Sequence, residues 1–339
     1  MPKVTVLMAV HNGEPYLPRA IDSILGQRFR EFEFLIIDDA SSDNSPAIVS
    51  SYLDERVRII RNRKQLGLSR SLNKGIEMAK GEYIARMDHD DISLPDRLQR
   101  QSSFLDTHED IDVVGSWAQT LELKPKTWRY PTSDEDIRSE FVFNSSLVHS
   151  SVMLRKATFD KHQLRYDEIV TRAQDYELWT RAAPQVRFAN LGSVMVQYRV
   201  HSLQVGNVFG KEQQSVAERV RLREIERLGI KATVGELKLH HQVSRWILPQ
   251  GRADLENLER WLLRLRAANQ SSSAFPRPAF ERALERRWWA ACRANAGLGL
   301  KAWRIYANSR IAKATNRAVL DKLQFWLKTL LRELGWRRS

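Results

Sequence analysis

Cysteine is nearly absent from this chain. Of 339 residues, Cys292 is the single one, which excludes an internal disulfide framework and a multi-cysteine metal site. Long apolar runs are missing too. Nothing approaches the run of about 18 apolar residues that a membrane-spanning helix needs. Met1-Pro2-Lys3 leads straight into the strand-like segment Val4–Val10, so no secretory leader is expected. No internal repeat is visible. No glycine-rich phosphate loop follows that first segment, where His11-Asn12-Gly13-Glu14-Pro15 stands instead. What the chain does have is a globular balance of 42% hydrophobic and 28% charged residues. That balance excludes a disordered or collagen-like chain, and the length suffices for one large domain or two ordinary ones.

Charge is the second unevenness. The net charge is +13 and the isoelectric point about 9.9, which suggests an anionic partner: nucleic acid, an acidic membrane surface or a phosphate-bearing substrate. The excess is not shared along the chain. Residues 1–200 hold 27 Lys and Arg against 29 Asp and Glu, a net of −2, whereas residues 201–339 hold 27 against 12, a net of +15. Three of the ten tryptophans (Trp117, Trp128, Trp179) lie in the first part and seven in the second. Two regions are expected, a domain over 1–205 and a basic, Trp-rich helical region over 206–339.

The first region alternates strand and helix patterns. Val4–Val10, Phe34–Ile37, Val57–Ile60, Tyr83–Met87 and Val113-Val114 have buried-strand character. Between them, Leu17 to Leu25, Ser45 to Tyr52 and Leu72, Ile76 and Ala79 keep helical spacing, with Ser69 as an N-cap candidate. Pro95 opens a helix reaching about Leu105. Such alternation predicts an α/β fold with a mostly parallel sheet and helices on its faces, and in such sheets ligands bind at the carboxyl ends of the strands. Beyond residue 205 helices dominate, over roughly 211–228, 233–248, 252–269, 278–296 and 316–335, with a Thr233/Glu236 capping box and a linker at Gln270–Pro276.

Three strand ends carry His11-Asn12-Gly13-Glu14, Asp38-Asp39-Ala40-Ser41-Ser42-Asp43 and Asp88-His89-Asp90-Asp91. Sheet geometry gathers them on one edge. Carboxylates crowded there repel one another unless a cation sits among them. A hard ion, Mg²⁺ or Mn²⁺, suits such oxygens and reaches proteins through one or two carboxylates plus substrate phosphates. The site is therefore expected to take a metal–diphosphate. The competing reading is that each acidic run caps a helix.

In these segments the chain resembles family 2 of the glycosyltransferases, the inverting enzymes of the GT-A fold. The resemblance is carried by Val6–Glu14, Ile36–Asp43, Asn62 through Gly67-Leu68-Ser69-Arg70-Ser71-Leu72-Asn73-Lys74-Gly75, Gly81–Asp91 and Pro95–Leu98. It continues through His149–Met153 and Gln174-Asp175-Tyr176-Glu177-Leu178-Trp179 to Tyr198-Arg199-Val200-His201, covering about residues 3–205. It implies a nucleotide-diphosphate-sugar donor, with UDP the expected nucleotide, and a saccharide acceptor.

Site roles follow from the resemblance position by position. Asp39, with the backbone of Ala9 and His11 nearby, holds the base, and Asp38 is a second candidate for that contact. The ring of His11 stacks where the family often has Tyr. Asn12, Glu14 and His89 belong to the same donor site. Asp88 lies near the ribose, Asp90 ligates the metal, and Arg70 and Asn73 lie close to the nucleotide. Asp91 is given no ligand role and is read as holding the turn. Arg199 and His201 close over the diphosphate, His201 as an extra metal ligand. Asp175 is the general base. Inversion needs a base on the face opposite the leaving diphosphate, so it must come from a distant segment. Where the family often has Glu-Asp, this chain has Gln174-Asp175. His149 is either a satisfied half-buried histidine or a donor to sugar or acceptor, and Trp179 either packs or stacks on the acceptor.

In the basic region Arg286-Arg287-Trp288-Trp289, Trp303-Arg304 and Trp336-Arg337-Arg338 set indoles beside cations. Leu320, Leu323, Leu327, Leu330 and Leu334 form a helical stripe beside Trp326. That composition suits an amphipathic helix at an anionic lipid surface. No recognition motif supports nucleic-acid binding. A cytoplasmic enzyme is expected, peripheral at the inner face of the membrane, acting on a lipid-linked saccharide such as a polyprenyl-diphosphate glycan during surface-polysaccharide assembly. An oligomer is compatible with the same surfaces. The alternatives are a nucleotidyltransferase of similar fold and a non-catalytic membrane adaptor.

Overall fold

A computed structural model describes residues 1–122, 124–200, 210–315 and 317–334. The chain divides into two compact units. One comprises Met1–Ile137 with Ser145–Ala217; the other comprises Arg138–Asn144 with Glu218–Ser339.

The first unit is built on a nine-stranded sheet. Strands β1 (Val4–Val10), β2 (Phe32–Asp38), β3 (Val57–Arg61) and β4 (Tyr83–Met87) run parallel in the order β3-β2-β1-β4. The sheet continues through β8 (Met153–Arg155), β6 (Val113–Thr120), β9 (Phe188–Tyr198) and β5 (Ile92–Ser93), with β7 (Thr127–Trp128) paired to β6. This far half is mixed: β8 is antiparallel to both neighbours and β9 is parallel to β6. β1 and β2 are buried at every position, as expected of strands covered on both faces. The helices are α1 (Leu17–Leu25), α2 (Ser45–Ser50), α3 (Leu68–Met78), α4 (Arg97–Thr107), α5 (Asp134–Glu140), α6 (Lys156–Lys161) and α7 (Gln174–Ala182). Leu17, Ala20, Ile21 and Ile24 of α1 reach the core beneath β1 and β2.

Register places the site. Val10 pairs with Asp38 and Asp38 with Arg61, so the ends of β1, β2 and β3 are level. Met8 pairs with Met87, which brings Asp88 alongside Ala9. One local expectation is corrected. Ser69 does not cap α3; Gly67 does, at φ +90°, while Ser69 is buried in the first turn. A side chain at 67 would strain that left-handed position.

The second unit is helical: α8 (Gly210–Arg227) runs into it, followed by α9 (Val234–Ser244), α10 (Arg252–Ser272), α11 (Arg277–Ala294), α12 (Leu300–Asn308), α13 (Arg310–Lys313) and α14 (Val319–Glu333). The capping box forms: Glu236 N–H donates to Thr233 Oγ1 at 3.3 Å and Thr233 N–H to Glu236 Oε2 at 2.8 Å. The linker is shorter than the sequence suggests, because α10 runs on to Ser272 and turns at Ser273, φ +53°. α12 and α13 were not expected.

This unit's core corrects the reading of its tryptophans. Trp261, Trp288 and Trp289 are buried among Leu258, Leu262, Phe280 and Phe325, so these indoles serve the unit's own interior. Trp336-Arg337-Arg338 lies outside the described residues. Several of the cations beside the indoles are also committed. Arg286 and Arg287 pair with buried Glu140, the latter at 2.6 Å, and Arg317 pairs with buried Glu285 at 2.6 Å while stacking 4.5 Å from the Trp289 ring centroid. Burial would raise the Glu140 pKa, yet the two guanidinium groups bring it below its ordinary value. Its ionised form therefore stabilises the fold at neutral pH, and that contribution is lost as the pH falls through the lowered folded pKa. Removing the charge leaves Arg287 buried and unpaired. Glu140→Gln is expected to cost about 3 kcal/mol, read as a lower urea midpoint with unchanged slope.

Candidate active site

The first strand end is a knot of short polar ties. Asn12, at φ +52°, donates its N–H to Ser41 Oγ at 3.0 Å and accepts the Ser42 N–H on Oδ1 at 2.8 Å. Glu14 accepts the Asn44 N–H at 3.1 Å, and Asp43 accepts the N–H groups of Glu14 and Ser45 at 2.9 and 3.0 Å. Asn12, Glu14 and Asp43 thus fasten the β1 turn to the β2 turn, and Asp43 also supports the start of α2. Gly13 is required here, because a Cβ would lie 2.6 Å from the ring of His89. His89 therefore rests on the β1 turn.

Asp39 is the best-defined acceptor in the cleft. Its carboxylate takes the Asn62 side-chain amide and the N–H groups of Leu66 and Gly67, each at 2.8 Å. Burial raises its pKa, but these bonds outweigh burial and hold it below the ordinary value, so it is anionic at neutral pH. His11 Nδ1 lies 2.9 Å from the Asp39 carbonyl oxygen, which orients the ring beside that carboxylate. Asp38 turns the other way. It accepts the Ser41 N–H at 3.1 Å and pairs with Arg61 at 3.1 Å.

The end of β4 gathers acids near two buried cations, Arg86 and Arg97. Asp88, Asp90 and Asp91 each offer an oxygen within 4.8 Å of the others. Asp91 is buried, and its pKa is driven well up by burial and by Asp88 and Asp90. That crowding is what a divalent cation relieves, so the donor set fits one. Arg86, itself buried, forms an ion pair with Asp88. Arg199 closes the far side: its N–H donates to Asp91 Oδ1 and its Nε to the Asp90 carbonyl, both at 2.8 Å, with its guanidinium 4.6 Å from the Tyr16 ring centroid. His201 lies outside the described residues.

Asp175 is near enough to Asp88 and Arg86 to feel their charges. It is half-buried in the first turn of α7, after Ala173 at φ +49°. Burial raises its pKa most, and Asp88 raises it further. Hydrogen bonds from its own helix turn and the charge of Arg86 act the other way, and the net shift is upward. Burial raises the Tyr198 pKa, and the charges of Asp91, Asp88, Asp90 and Asp175 raise it further, so all four carboxylates lie near this ring. His149 is half-buried, with Nε2 2.7 Å from the Tyr166 hydroxyl. Burial and Arg86 push its pKa well down, so the ring is neutral.

Other expected residues are placed elsewhere. Trp179 is fully buried, edge-on to Phe159 and Phe188 at 6.5 and 6.3 Å. No face is left for an acceptor, and the stacking role is withdrawn. Arg70 pairs with Glu168 at 3.0 Å, and Asn73 binds the backbone of Tyr166. Arg86, Tyr166 and Asn62 were not singled out from sequence. A charged residue inside an otherwise apolar strand was the available signal for Arg86.

The profile of glycosyl transferase family 2 matches residues 5–169. The uncharacterized glycosyltransferase MJ1057 of Methanocaldococcus jannaschii is 34% identical over 212 residues, 59% of this chain and 71% of that protein. The chain belongs to glycosyltransferase family 2. The O-antigen biosynthesis glycosyltransferase WbnJ of Escherichia coli is 31% identical over 209 residues, covering 59% of this glycosyltransferase and 80% of WbnJ. Among solved structures, S. aureus TarS 1-349 in complex with UDP-GlcNAc superposes with a TM-score of 0.57 at 16% identity, over 99% of this chain and 93% of that one. That likeness bears on the fold, a GT-A arrangement followed by helices. Family membership makes the protein a glycosyl-transfer enzyme and sets aside the nucleotidyltransferase and adaptor readings.

Proposed function

We propose that this enzyme transfers a sugar, with inversion, from a nucleotide-diphosphate donor to a saccharide hydroxyl in polysaccharide assembly. The observation that supports the reading is the Asp88, Asp90 and Asp91 cluster at the end of β4, with Asp175 of α7 near enough to Asp88 to feel its charge. Asp39 and the His11 ring receive the base, and Asp88 the ribose. Mg²⁺ or Mn²⁺ at Asp90, when bound, supplies positive charge to the leaving diphosphate. Asp175 takes the proton of the acceptor hydroxyl as its oxygen bonds to the anomeric carbon, while the bond from that carbon to the diphosphate oxygen breaks. UDP is the expected nucleotide, in keeping with the ligand of TarS. The polysaccharide role is in keeping with the name of WbnJ. Nucleotide release from a panel of UDP-, GDP- and dTDP-sugars, with Mn²⁺ or Mg²⁺ and without acceptor, tests the reading. Metal-stimulated release from one donor class supports it, and none from any donor overturns it.

The acceptor is proposed to be lipid-linked, with the helical unit resting on the cytoplasmic face of an anionic membrane. Among the described residues no helix is long and apolar enough to cross a membrane. On α14, however, Leu320, Leu323, Leu327, Leu331 and Leu334 are all exposed. At about 100° per residue they fall within an arc of about 80°. Phe325 and Thr329 bury the opposite face. The row thus runs through Leu331 rather than Leu330. The acids of α14 are engaged internally, Asp321 with Arg317 and Glu333 with the Leu300 N–H, whereas Lys328 and Arg332 are exposed. Leucines flanked by cations suit anionic headgroups. Leu323→Glu/Leu327→Glu is expected to cut flotation with phosphatidylserine vesicles by about tenfold. Equal flotation of variant and wild type would exclude α14 as the contact.

A further inference from the structure

The resemblance places Asn73 close to the nucleotide, but its amide is committed elsewhere. Its Nδ2 donates to the Tyr166 carbonyl at 2.9 Å and to Glu168 Oε1 at 3.4 Å, and its Oδ1 accepts the Tyr166 N–H at 2.9 Å. Both hydrogens are used, and the side chain is buried. This is the pairing of a β-ladder made by a side chain, and of the twenty residue types an amide best presents donor and acceptor together at that length.

Neighbours on α3 hold the same segment. Ser69 Oγ donates to the Val170 carbonyl at 3.0 Å, and Arg70 pairs with Glu168 at 3.0 Å. The segment is also fixed from behind. Arg181 of α7 donates to the Arg165 carbonyl at 2.7 Å and pairs with Glu177 at 2.9 Å. It then leads through Ala173 into Asp175. At its N-terminus α3 is anchored by Asp39, whose carboxylate takes the N–H groups of Leu66 and Gly67 at the helix start.

We propose that α3 couples the two halves of the reaction, with Asn73 as a positioning residue that holds segment 166–175, and through it Asp175, in register with the nucleotide-binding turn at Asp39. The proposal rests on the roles assigned above to Asp39 and Asp175. A nucleotide seated on Asp39 stiffens the turn at 62–67, and the rigid first turns of α3 pass that order to Tyr166 and on to the base. Donor binding and placement of the base become one coupled event.

The test uses the full chain, with UDP and Mn²⁺ as probe. In the wild type, UDP is expected to slow amide exchange across residues 164–176. Asn73→Asp keeps the acceptor but removes both donors. In that variant, exchange across 164–176 should rise about tenfold without ligand and lose its response to UDP. UDP affinity should stay within about threefold, and kcat for donor hydrolysis should fall about tenfold with KM nearly constant. A large loss of UDP affinity with unchanged exchange would make Asn73 a nucleotide ligand and overturn the proposal, as would unchanged exchange and turnover together. Should Asn73→Asp fail to fold, Arg70→Gln probes the same clamp from the exposed ion pair, with an expected rise in exchange of about threefold; no rise there overturns the coupling. Should no nucleotide bind the wild type, the donor assignment fails by itself, and the ligand-free exchange comparison still decides the clamp.

Discussion

Asp175→Asn is expected to bind nucleotide and metal as the wild type does and to transfer sugar about 10³-fold more slowly. The amide fits the same space and can still accept from the turn of α7. It cannot take a proton from an acceptor hydroxyl. The carboxylate is half-buried at a helix start, with Asp88 and Arg86 acting on it in opposite directions. Asp88 cannot replace it, being paired to Arg86, and His149 is too weak a base, its pKa pushed well down by burial and Arg86. A pre-steady-state comparison separates the steps: binding amplitude with UDP should be preserved and single-turnover transfer lost. Transfer near the wild-type rate would remove Asp175 from the mechanism.

The same shift gives two further expectations of definite sign. A base must be ionised, so activity should fall on acidification through a pKa raised from the ordinary Asp value, with burial as the main cause. For stability the sign reverses. A carboxyl whose folded pKa is raised destabilises the fold while ionised, at pH above its unfolded value, and the penalty is relieved as the pH falls through the folded pKa. Asp175→Asn should therefore raise Tm at pH 7 while abolishing transfer, the pattern of a residue kept for function at a cost in stability. A lowered Tm would mean that the carboxylate serves the structure of α7.

The sequence made the first unit legible where the local signal and the tertiary demand coincide. Val4–Val10, apart from Thr5, and Phe34–Ile37 are apolar because the sheet covers both faces, and the polar pairs His11-Asn12 and Asp38-Asp39 mark where each run ends. Asp39 and Asp90 stand out in this way because each follows the end of an apolar strand, whereas Asp175 was singled out only through the family resemblance. The partners of those residues were hidden by distance along the chain. Asn73 and Tyr166 are separated by 93 positions, and nothing in either local pattern announces a side-chain clamp on a backbone. Trp179 and the indoles of α11 illustrate the opposite limit. An aromatic beside a charge reads alike at a surface and in a core, and the contacts with Phe159, Phe188 and Phe325 are tertiary facts. On α14 the five-leucine pattern was visible, but which arc of it packs inward was set by Phe325 and Thr329.

Asp90→Ala should separate donor binding from acceptor chemistry in the other direction. Asp90 is the carboxylate assigned above to the metal, beside Asp88, which pairs with Arg86, and Asp91, which is buried with one oxygen on the Arg199 N–H. Metal-stimulated turnover is expected to fall by a factor on the order of 10² to 10³, since a lost charge at a leaving diphosphate costs several kcal/mol of transition-state stabilisation. The thermal shift makes the cause visible. A ligand that binds the folded state stabilises it by RT ln(1 + [L]/Kd), about 2.7 kcal/mol at a hundredfold excess over Kd. The wild type should therefore gain several degrees with Mn²⁺ and UDP together, and Asp90→Ala should gain almost nothing. Without ligand the variant should be at least as stable as the wild type, because the neighbouring carboxylates lose a repulsive partner, which Asp91 registers in its raised pKa. A variant that keeps the full metal-dependent shift would move the metal to Asp88 and Asp91 and leave Asp90 with its backbone role alone, as acceptor for Arg199.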